Sequence, residues 1–363
     1  MVSLHMRRFV SVFQKGLSGL SQLLLELLYL RKGRSQTYAG CPVLKRTLVD
    51  KIPRGSWDSH MHVVSDDTEQ DTTREPVYHA SLHETITNIR YNVQVDPVEY
   101  PLVEGALYTP RPHPLAQALQ FEASTGIRNI VLVQPSIYGT DNSCLLDALR
   151  ALGPRHGRGV VAFDCNTIDT VTLQKWHQWG VRGVRVNTQS IGMHMGEEEL
   201  AATLRGYADI IRPYNWVLQL YVPLATAVVL ENIVPELGVR VCLDHFGSPD
   251  LLVVSHNGDP YNIPGFHSLI KLLRQGKTYV KLSAPYRISG DHTWGDLEPV
   301  GRELLKVAGM SQTIFASDWP HTRFEGLDVK PYMEALLDWC GNDEALIERV
   351  FKGNAETLWG VEL

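Results

Sequence analysis

Cysteine is scarce in this 363-residue chain. Its five cysteines, Cys41, Cys144, Cys165, Cys242 and Cys340, form no Cys-x-x-Cys pair. That speaks against a thiolate zinc site or a disulfide framework, and an intracellular, reducing setting is the expectation. Positive charge is not in excess either: 34 Lys and Arg face 40 Asp and Glu, a net charge of −6 without a basic stripe. No nucleic-acid partner is expected. No Gly-x-Gly-x-x-Gly follows an apolar run, which weakens a dinucleotide-binding reading. The leucine-rich run 17–30 is broken by Ser18, Gly19, Ser21, Gln22 and Glu26, so it is a poor membrane span and no membrane partner is expected. What is present, 44% hydrophobic and 20% charged residues, is the composition of a globular enzyme.

The N-terminal segment differs from the rest. Residues 1–49 contain a single acid, Glu26, beside Arg7, Arg8, Lys15, Arg31, Lys32, Arg34, Lys45 and Arg46. Basic, serine-containing and acid-poor is the signature of a mitochondrial presequence; a non-functional amphipathic extension is the plainer alternative. Residues 1–52 are therefore set apart, and 53–363 are read as the folded domain.

From Gly55 onward apolar, strand-like runs alternate with helical stretches. The strands are expected at 56–63, 129–134, 159–164, 183–187, 216–222, 240–245, 279–283 and 313–317. Helices are expected at Thr170–Trp179, closed by Gly180, at Glu197–Ile211, opening on three acids, and at 266–275 before Gly276. Eight short apolar strands separated by helices predict an α/β fold, a (β/α)₈ barrel. One stretch breaks the rhythm: 66–108, long, polar and containing Pro76, Pro97 and Pro101. Following the first strand, it would lie on the catalytic face as a lid or substrate wall, unless its polar start, 65–71, is a disordered insertion.

Three strand ends carry chemistry. His60 and His62 sit in Trp57-Asp58-Ser59-His60-Met61-His62, and alternate strand residues share a face. His245 follows strand six in Val241-Cys242-Leu243-Asp244-His245-Phe246-Gly247, and Asp318 follows strand eight in Ala316-Ser317-Asp318-Trp319-Pro320-His321. A barrel brings all strand C-termini to one mouth, where Arg185, Tyr221 and Arg287 would join them. A lone histidine is more often a satisfied polar residue than a catalyst; two on one face, with a third and an aspartate nearby, shift that balance. Two chemical uses remain open. His60, His62, His245 and Asp318 could bind a zinc ion that activates water. Alternatively, the histidines polarise a carbonyl while Asp318 activates water. Strand five, Trp216-Val217-Leu218-Gln219-Leu220-Tyr221-Val222, offers neither the histidine nor the lysine that metal-dependent barrels place there. That favours a metal-independent site with no cofactor.

Six segments together resemble the amidohydrolase superfamily, and within it the 2-pyrone-4,6-dicarboxylate lactonases. They are Asp58-Ser59-His60-Met61-His62, Tyr108-Thr109-Pro110, Val133-Gln134-Pro135-Ser136 with Gly139-Thr140-Asp141-Asn142, Gly183-Val184-Arg185-Val186-Asn187, Asp244-His245-Phe246-Gly247 and Ser317-Asp318-Trp319-Pro320-His321. The resemblance spans about Trp57 to Trp359. It implies lactone hydrolysis without bound metal. Asp318 would deprotonate water, and His60, His62 and His245 would stabilise charge on the carbonyl oxygen. Arg185 and Arg287 would hold a substrate carboxylate through paired hydrogen bonds, with Tyr108 and Tyr221 as orienting donors. Ser136 could touch substrate, although no Gly-x-Ser-x-Gly surrounds it. Competing roles are a surface position for Arg287 and a lid-packing one for Tyr108.

The chain also departs from that group. Where the pyrone-dicarboxylate lactonases carry two further arginines, it has Ile191 and Ser248. At about 1.5–3 kcal/mol per charge-assisted contact, the loss predicts a less cationic pocket and a less anionic lactone, with Met193, His194 and Met195 in the same loop. Surface roles are expected for His256 and His267, and a structural one for Asp164 at the end of strand three. Asp58 would fix the start of the catalytic loop, and His321 would support Asp318. A small-molecule lactone or carboxylate substrate and a monomer or small homo-oligomer complete the expectation. A metal-dependent decarboxylase of the same superfamily and a non-catalytic small-molecule binding barrel are the competing functions.

Overall fold

The structure is a computed structural model, and residues 46–64, 100–104, 106, 108–251 and 257–361 are described. The N-terminal stretch up to 45, residues 65–99 of the stretch after the first strand and His256 lie outside them, and with them the presequence and lid readings.

Eight strands form one parallel sheet in sequence order: β1 Trp57–Met61, β2 Asn129–Val133, β3 Gly157–Val161, β4 Val181–Asn187, β5 Val217–Tyr221, β6 Arg240–Leu243, β7 Thr278–Leu282 and β8 Thr313–Phe315. A helix follows each: α1 Leu115–Thr125, α2 Ser143–Leu152, α3 Thr170–Trp179, α4 Glu197–Ile211, α5 Ala227–Leu237, α6 Phe266–Arg274, α7 Glu298–Ala308 and α8 Lys330–Trp339. β2 is Asn-Ile-Val-Leu-Val, buried throughout, as parallel strands covered on both faces must be. α3 runs from the Asp169 cap, which accepts from Thr172 N, to Gly180 at φ 107°, and α4 opens on Glu197, Glu198 and Glu199. The sheet closes just beyond β8: Asp318 N donates to His60 O at 3.0 Å and His62 N to Trp319 O at 2.9 Å. Asp58 Oδ1 seals the same seam by accepting from Ser317 N at 2.9 Å and His60 N at 3.0 Å. The expected (β/α)₈ barrel is the observed one.

Inside the barrel two layers separate. The lower is apolar: Trp57, Val131, Val133, Val160, Val217, Cys242, Tyr279 and Ile314 pack with Ala355, Leu358 and Trp359 of the C-terminal helical turns. Residues from seven strands can share one cluster only inside the closed sheet, so the C-terminus plugs the barrel floor. The upper layer is polar and buried, built from His60, Arg185, Gln219, Asp244 and Lys281. At Gly183 in β4 an added Cβ would lie 2.9 Å from Val217 O, so only glycine lets β4 approach β5 there.

Residues 46–52 form the short helix Leu48–Lys51 with a Thr47/Asp50 capping box, and Ile52 joins the main core. Strand three ends earlier than the sequence suggests, at Val161. Asp164 is exposed and accepts from Asn166 in a turn, so it does not reach across the mouth. His267 is exposed against the Tyr261 ring, as expected. The four cysteines among the described residues are free thiols, and no helix among those residues is long and apolar enough to cross a membrane.

Candidate active site

The C-terminal ends of the strands deliver the predicted side chains to one small cavity. It is lined by His62, Tyr108, Ser136, Arg185, Tyr221, His245, Arg287 and Asp318, with Pro135, Ser190, Thr322 and Arg323. His60 lies directly beneath. Asp318 is the centre: its Oδ1 stands 3.6 Å from His60 Nε2 and 3.8 Å from both His62 Nε2 and His245 Nε2. Its other oxygen accepts from Arg287 Nε at 2.8 Å and from the Tyr286 hydroxyl at 2.7 Å. Burial favours the neutral acid, yet Arg287 and the three histidines hold the Asp318 carboxyl well below the usual range, so it is a carboxylate.

The backbone at this mouth is strained. His245, Ala284, Asp318 and His321 have φ of 50°, 50°, 62° and 62°, a region costing non-glycine residues roughly 1–3 kcal/mol each and concentrated at functional sites. In the Asp-His-Phe-Gly motif, Gly247 at φ 77° turns the chain away after His245.

The three histidines are not equivalent. Burial holds His62 and His245 down at about 4, and burial with the nearby Lys281 holds His60 well below its ordinary value. All three are neutral at pH 7, each with one ring proton. His62 Nδ1 lies 2.7 Å from Val133 O. A carbonyl only accepts, so the His62 proton is on Nδ1 and Nε2 presents a lone pair to the cavity. His245 Nδ1 meets Ser283 Oγ at 2.8 Å; a hydroxyl donates or accepts, so His245 can present Nε2–H. His60 Nε2 stands 3.2 Å from His62 Nε2.

Arg287 is fixed by Asp318 and by the Thr322 carbonyl, its Nη2 lying 3.1 Å from the latter. Arg185 spans Gln134 O and Asp244 Oδ2 at 3.3 and 3.2 Å, with Nε left without a partner. Tyr221 meets the His245 ring edge-on at 4.8 Å. The Tyr108 ring lies under the Arg323 guanidinium at 5.3 Å. Asp58 holds the seam that positions His60. His321 is buried and reaches Asp318 through the Tyr286 hydroxyl, 3.3 Å from its Nδ1. Met193, His194 and Met195 line a neighbouring cavity instead of this one.

Five residues in or around the site escaped the sequence reading. Asp244 is the buried anion that gathers Arg185, Gln219 and Lys281 at 3.1–3.2 Å. Lys281 and Gln219 could have been flagged as polar residues in apolar, continuously buried strands. Tyr286 and Arg323 lie in loops, where no periodicity marks them.

Three imidazoles and a carboxylate suit zinc, and His60 Nδ1 lies 3.3 Å from Asp244 Oδ1, the carboxylate support typical of ligating histidines. Among the described residues, the ligand atoms of His60, His62 and Asp318 lie within 4.8 Å of one another, as do those of His60, Asp244 and His245, so either three-residue set could hold such an ion, with His60 common to both.

Comparison with known proteins decides the family. The amidohydrolase family model matches residues 57–361. The chain belongs to the amidohydrolase family. Among curated relatives, a 4-sulfomuconolactone hydrolase of Hydrogenophaga intermedia is 26% identical over 318 residues, covering 85% of this chain and 90% of the relative. A 2-pyrone-4,6-dicarboxylate hydrolase of Comamonas testosteroni is 26% identical over 252 residues, 66% and 78% of the two chains. Among solved structures, a putative 2-pyrone-4,6-dicarboxylic acid hydrolase of Pseudomonas putida is 27% identical with a TM-score of 0.63, covering 86% of this chain and 100% of that one. The family is the one its sequence motifs indicated.

Proposed function

We propose that this amidohydrolase opens a lactone ring bearing an acidic group, with Asp318 as the base that activates water. The observation that carries the reading is the carboxylate of Asp318, ionised and aimed by Arg287 and Tyr286, with one oxygen facing three neutral histidines. The tautomers divide the roles. His60 and His245 can present Nε2–H to the carbonyl oxygen as negative charge develops on it. His62 can only accept: in the resting site its lone pair takes the His60 Nε2–H, 3.2 Å away, and substrate entry exchanges that contact for the carbonyl on His60 and the attacking water on His62, leaving Asp318 to take the proton. The lactone-hydrolase names of the curated relatives agree with this chemistry.

The charge balance supports an anionic substrate. Arg185, Arg287, Lys281 and Arg323 stand against Asp244 and Asp318, and the Arg323 guanidinium at the rim pairs with no carboxylate among the described residues. With Ile191 and Ser248 where the pyrone-dicarboxylate group has arginines, one acidic substituent suits the site better than two. A lactone of the muconolactone type, carrying a single carboxylate or sulfonate at the rim, meets that requirement.

A second reading is favoured by the clustering of His60, His62 and Asp318, and by the Asp244 carboxylate behind His60. In it those three residues would hold a zinc-type cation, which when bound would supply Lewis-acid polarisation and an acidified water. Tyr221 in place of a ligand on β5 favours the metal-free form.

Metal analysis of the purified protein, with lactone hydrolysis assayed before and after exhaustive chelation, separates the two. Activity retained in metal-free protein supports histidine polarisation. Activity lost with a stoichiometric metal and restored by it moves the site to the cation reading. Asp318→Asn should lower kcat by about 10²–10⁴; hydrolysis left unchanged would remove Asp318 from the mechanism.

A further inference from the structure

Lys281 is a fully buried charged group beside the site that this chemistry leaves without a task. Its side chain is fully buried in the middle of β7, with Nζ 3.2 Å from Asp244 Oδ1 and 3.2 Å from His60 Nδ1. A lysine is expensive to bury even when paired, and Asp244 already has Arg185 and Gln219 on its other oxygen.

The hydrogen bonds around His60 allow two arrangements. His62 must present a bare Nε2, since its Nδ1–H is held by Val133 O. At 3.2 Å from that lone pair, His60 Nε2 makes a favourable contact only as N–H. A neutral ring then has a bare Nδ1, and a donor is needed behind it; Lys281 Nζ is placed to be that donor. In the other arrangement Nδ1 carries the proton and points at Asp244 Oδ1, 3.3 Å away. Two bare Nε2 atoms would then face each other beside the Asp318 carboxylate, which only a cation between them would relieve. Lys281 and Asp244 thus compete for the same ring nitrogen, and the winner decides what His60 shows to the cavity.

We propose that Lys281 is a positioning residue that locks His60 as the Nε2–H tautomer, so that the cluster presents a hydrogen-bond donor to the substrate carbonyl instead of a cation site. The inference builds on the proposed lactone chemistry, but its central claim concerns the resting protein and needs no substrate. Without Lys281, the ring proton moves to Nδ1, where Asp244 accepts it as a hydrogen bond, and the freed Nε2 lone pair completes the His60, His62 and Asp318 ligand set. The same argument gives the lysine a second effect, since its charge beside His60 repels a metal ion.

The test is ¹⁵N NMR of histidine-labelled, metal-free protein, with the His60 ring signals assigned by their loss in His60→Gln. Wild type should show a protonated Nε2 and a bare Nδ1. Lys281→Met, close in size and without a donor, should move the proton to Nδ1. Lys281→Gln, whose amide still donates, should keep the wild-type tautomer. Lys281→Met should also bind zinc at least tenfold more tightly than wild type by equilibrium dialysis, and lower metal-free kcat far more than it changes KM. A protonated Nδ1 in wild type overturns the proposal, and that measurement stands even if a variant fails to fold. So does a folded Lys281→Met that keeps the Nε2–H tautomer or gains no zinc affinity. Absence of lactone turnover in a wild type with the Nε2–H tautomer would sink the substrate reading and leave the latch intact.

Discussion

At the residue scale, the site runs on groups whose charge is set by their neighbours. Asp318 is surrounded by Arg287, Tyr286 and three neutral histidines, and each neighbour has a separable consequence. Tyr286 is kept a phenol, burial and the adjacent carboxylate pushing its ionisation well above the ordinary value, so it remains a donor through the working range. His62 and His245 gain their protons only near 4, while Asp318 is ionised to still lower pH. In the metal-free protein kcat/KM should therefore be level between about pH 5 and 8 and fall on the acid side near 4. A rate profile breaking near 6.5, the ordinary histidine value, would show that these rings are not as desolvated as the structure has them. Arg323 answers a different question, that of substrate charge. It is exposed at the rim, so solvent screens it and its contribution belongs at the low end of a charge-assisted contact, about 1.5 kcal/mol or roughly tenfold. Arg323→Met should raise KM by that factor for a carboxylated or sulfonated lactone and leave kcat, and a neutral lactone, unchanged. Equal losses on both substrates would make Arg323 a loop-packing residue against Tyr108.

At the element scale, β1 carries His60 and leads into His62, and it also carries Asp58, one half of a buried acid pair. Asp58 accepts two backbone bonds that hold the β1–β8 seam, and Glu122 of α1 interacts with it from behind. Asp58 Oδ2 and Glu122 Oε1 have no donor, which is satisfied if one carboxyl carries a proton and gives it to the other. Burial raises both acids, and Glu122 goes well above its ordinary 4.5, with Asp58 adding to the shift. An acid raised on folding stabilises fully below its unfolded value and loses that contribution as pH rises through the folded one. The protonated Glu122 therefore supports the fold below about 4.5 and is a growing liability above it. Glu122→Gln, which keeps a donor and cannot ionise, should leave Tm near wild type at pH 4.5 and raise it at pH 8. A variant less stable than wild type at both pH values would mean that the pair is held by something other than a shared proton. The elements themselves were largely legible. Continuous apolar runs such as Asn-Ile-Val-Leu-Val have no other place than a doubly covered strand, and Gly180 and the acids of Glu197–Glu199 mark helix ends through local chemistry. Charge pairing was not legible. Lys281 has its partners 221 residues away in His60 and 37 away in Asp244, and only barrel closure brings the three together. Arg287 was expected to hold substrate, and its bond to Asp318 rests on a turn whose geometry no periodicity encodes. Arg323 was invisible for the same reason.

At the scale of the whole molecule, the barrel is closed at both ends by the ends of its own folded domain. The seam joins β1 to the residues after β8. The floor is filled by the last helical turns, where Trp359 is fully buried, donates from Nε1 to Ser59 Oγ at 3.2 Å and lies 5.6 Å beneath the Lys281 nitrogen. That ring is the boundary between the apolar plug and the polar layer, so it touches stability and site together. It also links positions 300 residues apart in sequence, a contact made only when the barrel is complete, which argues for loss of the whole fold instead of local fraying when it is removed. Trp359→Ala should cost about 3–5 kcal/mol by the cavity and transfer terms for a large buried ring. With roughly 2–4 °C per kcal/mol for a domain of this size, Tm should fall by about 10 °C or more. Far-ultraviolet dichroism and near-ultraviolet dichroism should melt together, because no part of the barrel keeps its core once the floor opens. A drop of one or two degrees, or a first transition confined to the C-terminal turns, would show that the plug is an appendage and that the strand closure alone holds the barrel. Trp359→Phe keeps most of the volume but removes the Ser59 bond and narrows the surface under Lys281. It should therefore lose little stability and perturb kcat more than Tm, separating the plug's packing role from its support of the polar layer above.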